Sequence, residues 1–202
     1  MTVSGLEALG AEVLRCTRCG LHRGRTKAVP GEGPEDAGIL FIGEAPGFHE
    51  DQQGLPFVGS SGRFLEELLE SIGLTRKDVF IANVIKCRPP KNRDPLADEI
   101  ETCEPYLDRQ IELLKPKLVV TLGRFSMARA FPKARISRIH GQPRKIDGVV
   151  YYPMYHPAAA LHQPSLRQVI AEDMRRIPEL LKGVAEMPEF AVPPAAEQLT
   201  LF

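Results

Sequence analysis

The 202-residue chain has no apolar run approaching the ~20 residues that span a membrane. Its opening stretch, MTVSGLEALGAEVLR, is too acidic and polar for a secretory signal and lacks such a signal's apolar core. An intracellular protein with no membrane association is therefore expected. There is no net charge, with 26 basic and 26 acidic side chains, so no field of one sign covers the molecule. Nucleophile-elbow and P-loop patterns are both absent, which removes serine hydrolase and P-loop NTPase readings. Gly31-x-Gly33 stands before the first strand, the wrong side for a dinucleotide fingerprint. Cysteine is scarce, with four residues only: Cys16, Cys19, Cys87 and Cys103. Disulfides are rare inside cells, so four thiols there favour a metal centre over two bridges. On spacing alone zinc is a candidate, since four-thiolate zinc sites are common.

What is present reads as one domain with an ordinary hydrophobic content of 43%. The charges are sorted. Residues 15–27 carry five basic side chains and no acid, and residues 124–145 carry seven and no acid. Lys86, Arg88, Lys91 and Arg93 cluster after a strand. Such segments either form one phosphate-binding face or lie scattered in solvent.

Apolar runs at 38–43, 79–84, 117–122 and 148–155 predict four strands. Helices are expected at 5–15, 60–72, 94–114, 124–130 and from 164 or 165 to 181, with Asp94 as a cap and Pro95 in a first turn. Solid apolar strands alternating with helices predict a parallel sheet covered on both faces. In such sheets the site lies beyond the carboxyl ends of the strands. The strands lead to GEAPG (43–47), to Asn83 and Lys86-Cys87-Arg88, to Gly123-Arg124, and to Tyr155-His156-Pro157.

Three residues at those exits invite a chemical reading beside a plain one. Asn83 sits in the apolar run Ile81–Ile85, where an unpaired amide is costly. It is either bonded to backbone or offered to a ligand, and a carboxamide matches the N3–H and O4 edge of uracil but mismatches cytosine. Phe57 either packs inward or stacks on a planar ligand. His156 is either structural or a donor to a developing anion.

GEAPG followed by GLPFVG, the Asn-bearing second strand, HPAAAL and the four-cysteine spacing together resemble the family-4 (iron–sulfur) uracil-DNA glycosylases. The resemblance covers roughly residues 10–182. It implies a three-layer α/β/α sandwich with a four-stranded parallel sheet and a [4Fe–4S] cluster on Cys16, Cys19, Cys87 and Cys103. It also implies monofunctional excision of uracil from double- and single-stranded DNA in base-excision repair, by a monomer in the cytoplasm or nucleoid. By position, Phe57 stacks on the extruded base, Asn83 reads its polar edge, and His156 stabilises charge on uracil O2. Glu44 and its neighbours place the attacking water, and the turn at Gly43, Ala45 and Gly47 binds the base and its phosphate. Arg88, Arg124, Ala159 and Leu161 contact DNA, with Leu161 as the residue filling the gap. In better-known uracil glycosylases an aspartate stands where this chain has Ala45, so a general-base role for Glu44 is an inference. His140, in Ser137–His140, superficially resembles the covalently bonding branch of the superfamily, but the basic insertion after the second strand is missing.

Residues 1–183 are expected to form the catalytic domain, with 184–197 a Pro- and Ala-rich linker. The last five residues, 198–202, resemble a QLxLF peptide that docks on the bacterial β sliding clamp. Gln198, Leu199, Leu201 and Phe202 would be its anchors.

Overall fold

In the computed structural model, which describes residues 4–190, the chain opens with α1 (Gly5–Arg15). The Ser4 hydroxyl accepts the Glu7 amide while the Glu7 carboxylate accepts the Ser4 amide, a reciprocal box that satisfies two orphan donors of the helix start. A 3-10 turn (Gly20–Arg23) leads to β1 (Ile39–Gly43), α2 (Phe48–Gln53) and α3 (Ser60–Glu70). Next come β2 (Phe80–Asn83), a 3-10 turn (Pro90–Asn92) and α4 (Ala97–Leu114). The chain continues through β3 (Leu118–Leu122), α5 (Arg124–Ala128), α6 (Ile136–Ile139), β4 (Arg144–Ile146) and β5 (Val149–Met154). It closes with α7 (Pro157–His162), α8 (Leu166–Arg175) and α9 (Ile177–Gly183).

The sheet order is β2-β1-β3-β5-β4. The first four strands are parallel. Side-chain parity sorts them into two cores. Phe41, Ile81, Val120 and Tyr152 point to one face, where they meet Leu65 and Leu69 of α3 and Ile170 and Met174 of α8. Leu40, Ile42, Ala82 and Val119 point to the other, against Leu9 and Val13 of α1 and Leu107 of α4. This is the expected three-layer α/β/α sandwich. Among the described residues no helix is long and apolar enough to cross a membrane.

The structure corrects four expectations. The sheet has five strands rather than four, because β4 pairs antiparallel with β5. Asp147 and Gly148, both at positive φ (50° and 79°), make the two-residue turn that a tight hairpin requires. Asp94 does not cap α4; the helix starts at Ala97, and the Glu99 carboxylate accepts the Leu96 amide at 2.9 Å. The last helix is two helices meeting at Arg176, with Pro178 in the first turn of the second. HPAAAL, where no helix is expected, forms α7 with His156 as its N-cap.

The described part of the expected linker also has contacts. Glu189 bridges to Lys145, and the Phe190 amide donates to the Lys145 carbonyl at 2.7 Å. The clamp-binding peptide lies outside the described residues.

Candidate active site and cysteine cluster

The carboxyl ends of β1, β2 and β5 converge on a cavity of about 220 Å³. Glu44, Ala45, Gly47, Phe57, Asn83 and His156, all picked from sequence, line it. Gly43, also expected at the site, is not among the lining residues but lies directly against two of them, Asn83 and Phe57. A Cβ there would come within 2.7 Å of the Phe57 ring and would overlap Asn83 Oδ1, so only glycine lets the amide and the ring approach the strand end. Asn83 is 2% exposed. Its side-chain amide has no hydrogen bond among the described residues and faces the cavity, while its backbone carbonyl accepts from Lys86 Nζ at 2.8 Å. An amide that lines the cavity and has no protein partner is free to pair with a ligand of complementary polarity.

Phe57 is held at φ 52°, an uncommon conformation for a bulky residue. Its own carbonyl is gripped by Arg76 at 3.0 Å, and Gly62 leaves room for that carbonyl where a Cβ would overlap it. The loop is fixed from below by Glu50, which sequence reasoning missed. Its buried carboxylate accepts the amides of Gly47 (3.1 Å), Val58 (2.9 Å) and Gly59 (2.9 Å). One side chain thus ties the GEAPG turn to the Phe57 loop. The available signal was an acid in the first turn of a short helix after a glycine-rich turn.

The Phe57 and His156 rings stack, with centroids 5.4 Å apart and planes 25° from parallel. Part of His156 is open to the cavity, but its ring is packed against Phe57, and that packing governs its charge. Desolvation pulls its pKa down to about 4, against a smaller opposing pull from Glu50. His156 Nδ1 accepts the Ala158 amide at 3.1 Å, which assigns the single proton to Nε2. The site therefore holds a neutral imidazole with one N–H to offer. Glu44 is half-buried, and burial raises its pKa; Asp94 adds to the rise and Arg124 opposes it.

The rim is more varied. Arg88 Nε donates to Asn92 Oδ1 at 2.7 Å, and Asn92 and Arg93 line the cavity. Asn92 sits at φ 55° after Lys91 at φ 54°, a conformation that left no trace in the sequence. Arg124 is exposed and pairs with Asp94. Ala159 and Leu161 lie on α7 beside the cavity-lining Ala158; Leu161 is 48% exposed and Ala159 is half-buried. His140 does not join the cavity lining: it bonds to Asp173 at 2.8 Å and packs on Tyr155.

All four cysteines belong to the apolar cluster of α1 and α4 on the other face of the sheet: Cys87 and Cys103 are buried in it, and Cys16 and Cys19 pack against it. None is disulfide-bonded. Arg25 donates to Cys87 Sγ at 3.0 Å and the Lys86 amide donates to Cys103 Sγ at 3.3 Å. Burial pushes the Cys87 thiol up, and Cys103 up to about 11. At Cys16 burial also raises, but hydrogen bonds from Tyr106 and Arg18 outweigh it and the net direction is down. Donors aimed at sulfur are what metal-bound thiolates need, so the donor set suits a thiolate-ligated group. Yet among the described residues no three His, Cys, Asp or Glu side chains are grouped as one metal ion would need. Lys86 is not part of the surface basic cluster that the sequence suggests. It is 1% exposed, and its Nζ also donates to Gln110 Oε1 at 2.6 Å. Burial lowers its pKa to about 8.

Comparison with known proteins gives the chain's relatives. The family model of the Uracil DNA glycosylase superfamily matches residues 30–176. A type-4 uracil-DNA glycosylase of Sulfurisphaera tokodaii is 48% identical over 188 residues, covering 88% of this chain and 86% of the relative. One from Archaeoglobus fulgidus is 44% identical over 187 residues (88% of this chain, 94% of the relative). Another, from Thermotoga maritima, is 40% identical over 182 residues (88% and 95%). With its strand ends, its cavity and its cysteines arranged as described, the chain belongs to the uracil-DNA glycosylase superfamily, among the type-4 enzymes.

Proposed function

We propose that the protein extrudes uracil from DNA and hydrolyses its N-glycosidic bond, releasing free uracil and leaving an abasic site, the first step of base-excision repair. The observation that carries this reading is the unpartnered Asn83 amide beside the neutral, Nε2-protonated His156 and the Phe57 ring, all over Gly43. Uracil leaves the stack at a cost of a few kcal/mol, less when it is mispaired or single-stranded. In the cavity Phe57 stacks on its face. Asn83 donates to O4 and accepts from N3–H, a pattern that cytosine mismatches.

As the C1′–N1 bond breaks, its electron pair goes to the base. His156 Nε2–H donates to O2, where the negative charge collects. A neutral donor suits this step, because it bonds the anion without first having to be protonated. Water adds to the electron-poor C1′, and the proton it loses passes by way of solvent to the uracil anion, which leaves as neutral uracil. Glu44 orients that water, and a dissociative sugar cation needs placement more than a strong base. The turn at Gly43, Ala45 and Gly47 approaches the base and its phosphate. Arg88, Arg124, Ala159 and Leu161 meet the DNA strand, with Leu161 filling the gap.

Cys16, Cys19, Cys87 and Cys103 would hold a [4Fe–4S] cluster, which supplies a rigid cross-link and no chemistry at the base. A lone tetrahedral zinc, with Zn–S near 2.3 Å, would draw sulfurs to about 3.8 Å of one another. What supports the larger group is the set of four thiols, with hydrogen-bond donors on Cys87 and Cys103, in a chain similar to type-4 enzymes. The tail residues Gln198, Leu199, Leu201 and Phe202 fit a sliding-clamp peptide on a leash, for a monomer working in the cytoplasm at the nucleoid. Deleting 198–202 would abolish clamp binding and leave excision on short oligonucleotides intact.

The deciding assay incubates the protein with uracil-containing single- and double-stranded oligonucleotides. Free uracil with turnover is expected. A denaturant-stable adduct, or retention without release, would overturn the reading.

A further inference from the structure

Phe48 is the first residue of α2 and is 52% exposed. A lone exposed aromatic needs no explanation. This one has three further properties. Its neighbours Gly47 and Glu50 line the uracil cavity, so Phe48 flanks the lining without being part of it. One face of its ring is covered by Arg88, whose guanidinium carbon lies 5.1 Å from the ring centroid. The same Arg88 is bonded to Asn92 of the cavity wall. His49 meets the ring edge-on at 5.4 Å and 79°. The mount is stiff, because two buried acids clamp α2: Glu50 to the 58–59 backbone, and Asp51 to the Thr26 amide at 2.9 Å. A rigid aromatic with one face backed by a cation and the other open is the arrangement on which a nucleobase stacks.

We propose that Phe48 and Arg88 form a stacking platform for the nucleobase next to the extruded uracil. The base lies on the open face of Phe48, and Arg88 backs the ring while facing the phosphate chain. The occupant is the substrate strand itself, because the platform flanks the cavity: Phe48 follows the lining residue Gly47, and Arg88 is bonded to the lining residue Asn92. This rests on the uracil-excision reading and adds to it a second base site. The site matters most for single-stranded DNA, where no complementary strand holds the neighbour in place.

The test compares wild type with Phe48→Ala, Phe48→Leu and Phe48→Trp. The probe is a single-stranded oligonucleotide carrying 2-aminopurine on either side of a hydrolysis-resistant 2′-fluoro-2′-deoxyuridine. Stacking quenches 2-aminopurine, so wild type and Phe48→Trp should quench it on one side and Phe48→Ala should not. On cleavable single strands KM should rise about tenfold in Phe48→Ala, in line with one lost base–aromatic stack, with kcat within about twofold. On duplex substrate the rise should be smaller. Quenching unchanged in Phe48→Ala on both sides would overturn the proposal. So would full rescue by Phe48→Leu, which would mean an apolar wedge and no stacking. Because Phe48 is exposed, an unchanged thermal midpoint would show that each variant is folded. Failure of the excision reading is seen separately, as absence of free uracil with the wild-type protein.

Discussion

The two sides of the sheet solve opposite problems. On one, the cavity presents polar groups deliberately left open: an unpartnered Asn83 amide, a neutral His156 and a half-buried Glu44. Its shape is set by backbone, through Glu50 gathering three amides and Gly43 removing a Cβ. On the other, the cysteine region gathers side chains from three separate stretches, with hydrogen-bond donors aimed at Cys87 and Cys103. The cavity is shaped by the chain alone, whereas on the proposed reading the cysteine side is completed by a group that its thiols would hold. Lys86 joins the two, its amide on Cys103 and its ammonium on the Asn83 carbonyl.

Removing a thiol should therefore act on stability and removing a cavity group on rate. The largest effect is expected from Cys87→Ala: loss of bound iron and sulfide, and about 4 kcal/mol or more of stability, as for other lost metal ligands. Iron analysis with thermal denaturation checks it, and a colourless, zinc-bearing wild-type protein would break the iron–sulfur reading. Next is His156→Ala, expected to slow single-turnover excision roughly 100–1,000-fold, the usual loss of one donor to a developing anion. Glu44→Gln should lose less; the reverse ranking would end the idea that water placement outweighs base strength.

The charge state of His156 sharpens the comparison further. Its folded pKa of about 4 lies below the ordinary 6.5, so the unfolded chain binds the extra proton in between. Its contribution to stability is full above about pH 6.5 and is lost as pH falls toward 4. Imidazole ¹⁵N shifts should show no titration of His156 above about pH 5. A midpoint near 6.5 would contradict the neutral-donor mechanism.

Glu50→Ala strands amides of the 47–59 loop and should cost about 3 kcal/mol, or roughly 6–12 °C in midpoint, with loss of activity beyond the unfolded fraction. The smallest effect belongs to Arg124→Ala. Arg124 and Asp94 are each 63% exposed, so the pair contributes about 0–1 kcal/mol to stability. The salt dependence of DNA binding should nevertheless fall by about one phosphate contact.

Much of this site was legible because strand exits can be read from apolar runs. Asn83, His156 and the glycine-rich turn each end such a run, and parallel sheets put those ends on one edge. The residues that escaped have nothing periodic to betray them. Glu50 sits in a six-residue helix too short to show a face. Asn92 owes its place to two successive left-handed residues. Lys86 reads as a surface cation because it stands beside Arg88, yet the bend that follows β2 buries it, with its ammonium on Gln110 and on the Asn83 carbonyl. The Asp147-Gly148 turn was in plain view, and only the brevity of β4 hid the hairpin.

By itself, the amino-acid sequence determined the alternation of strands and helices, the apolar faces that build two cores, and the set of polar residues at the strand ends. Only the tertiary structure decided which of them meet. The order β2-β1-β3-β5-β4 brings Asn83 beside Gly43 across adjacent strands, and His156 onto Phe57 from a strand two places along. It also sends the cysteines to the far face. The physical reason is that local periodicity sets which way a side chain points, whereas its neighbours across the sheet depend on strand pairing between segments far apart in the chain.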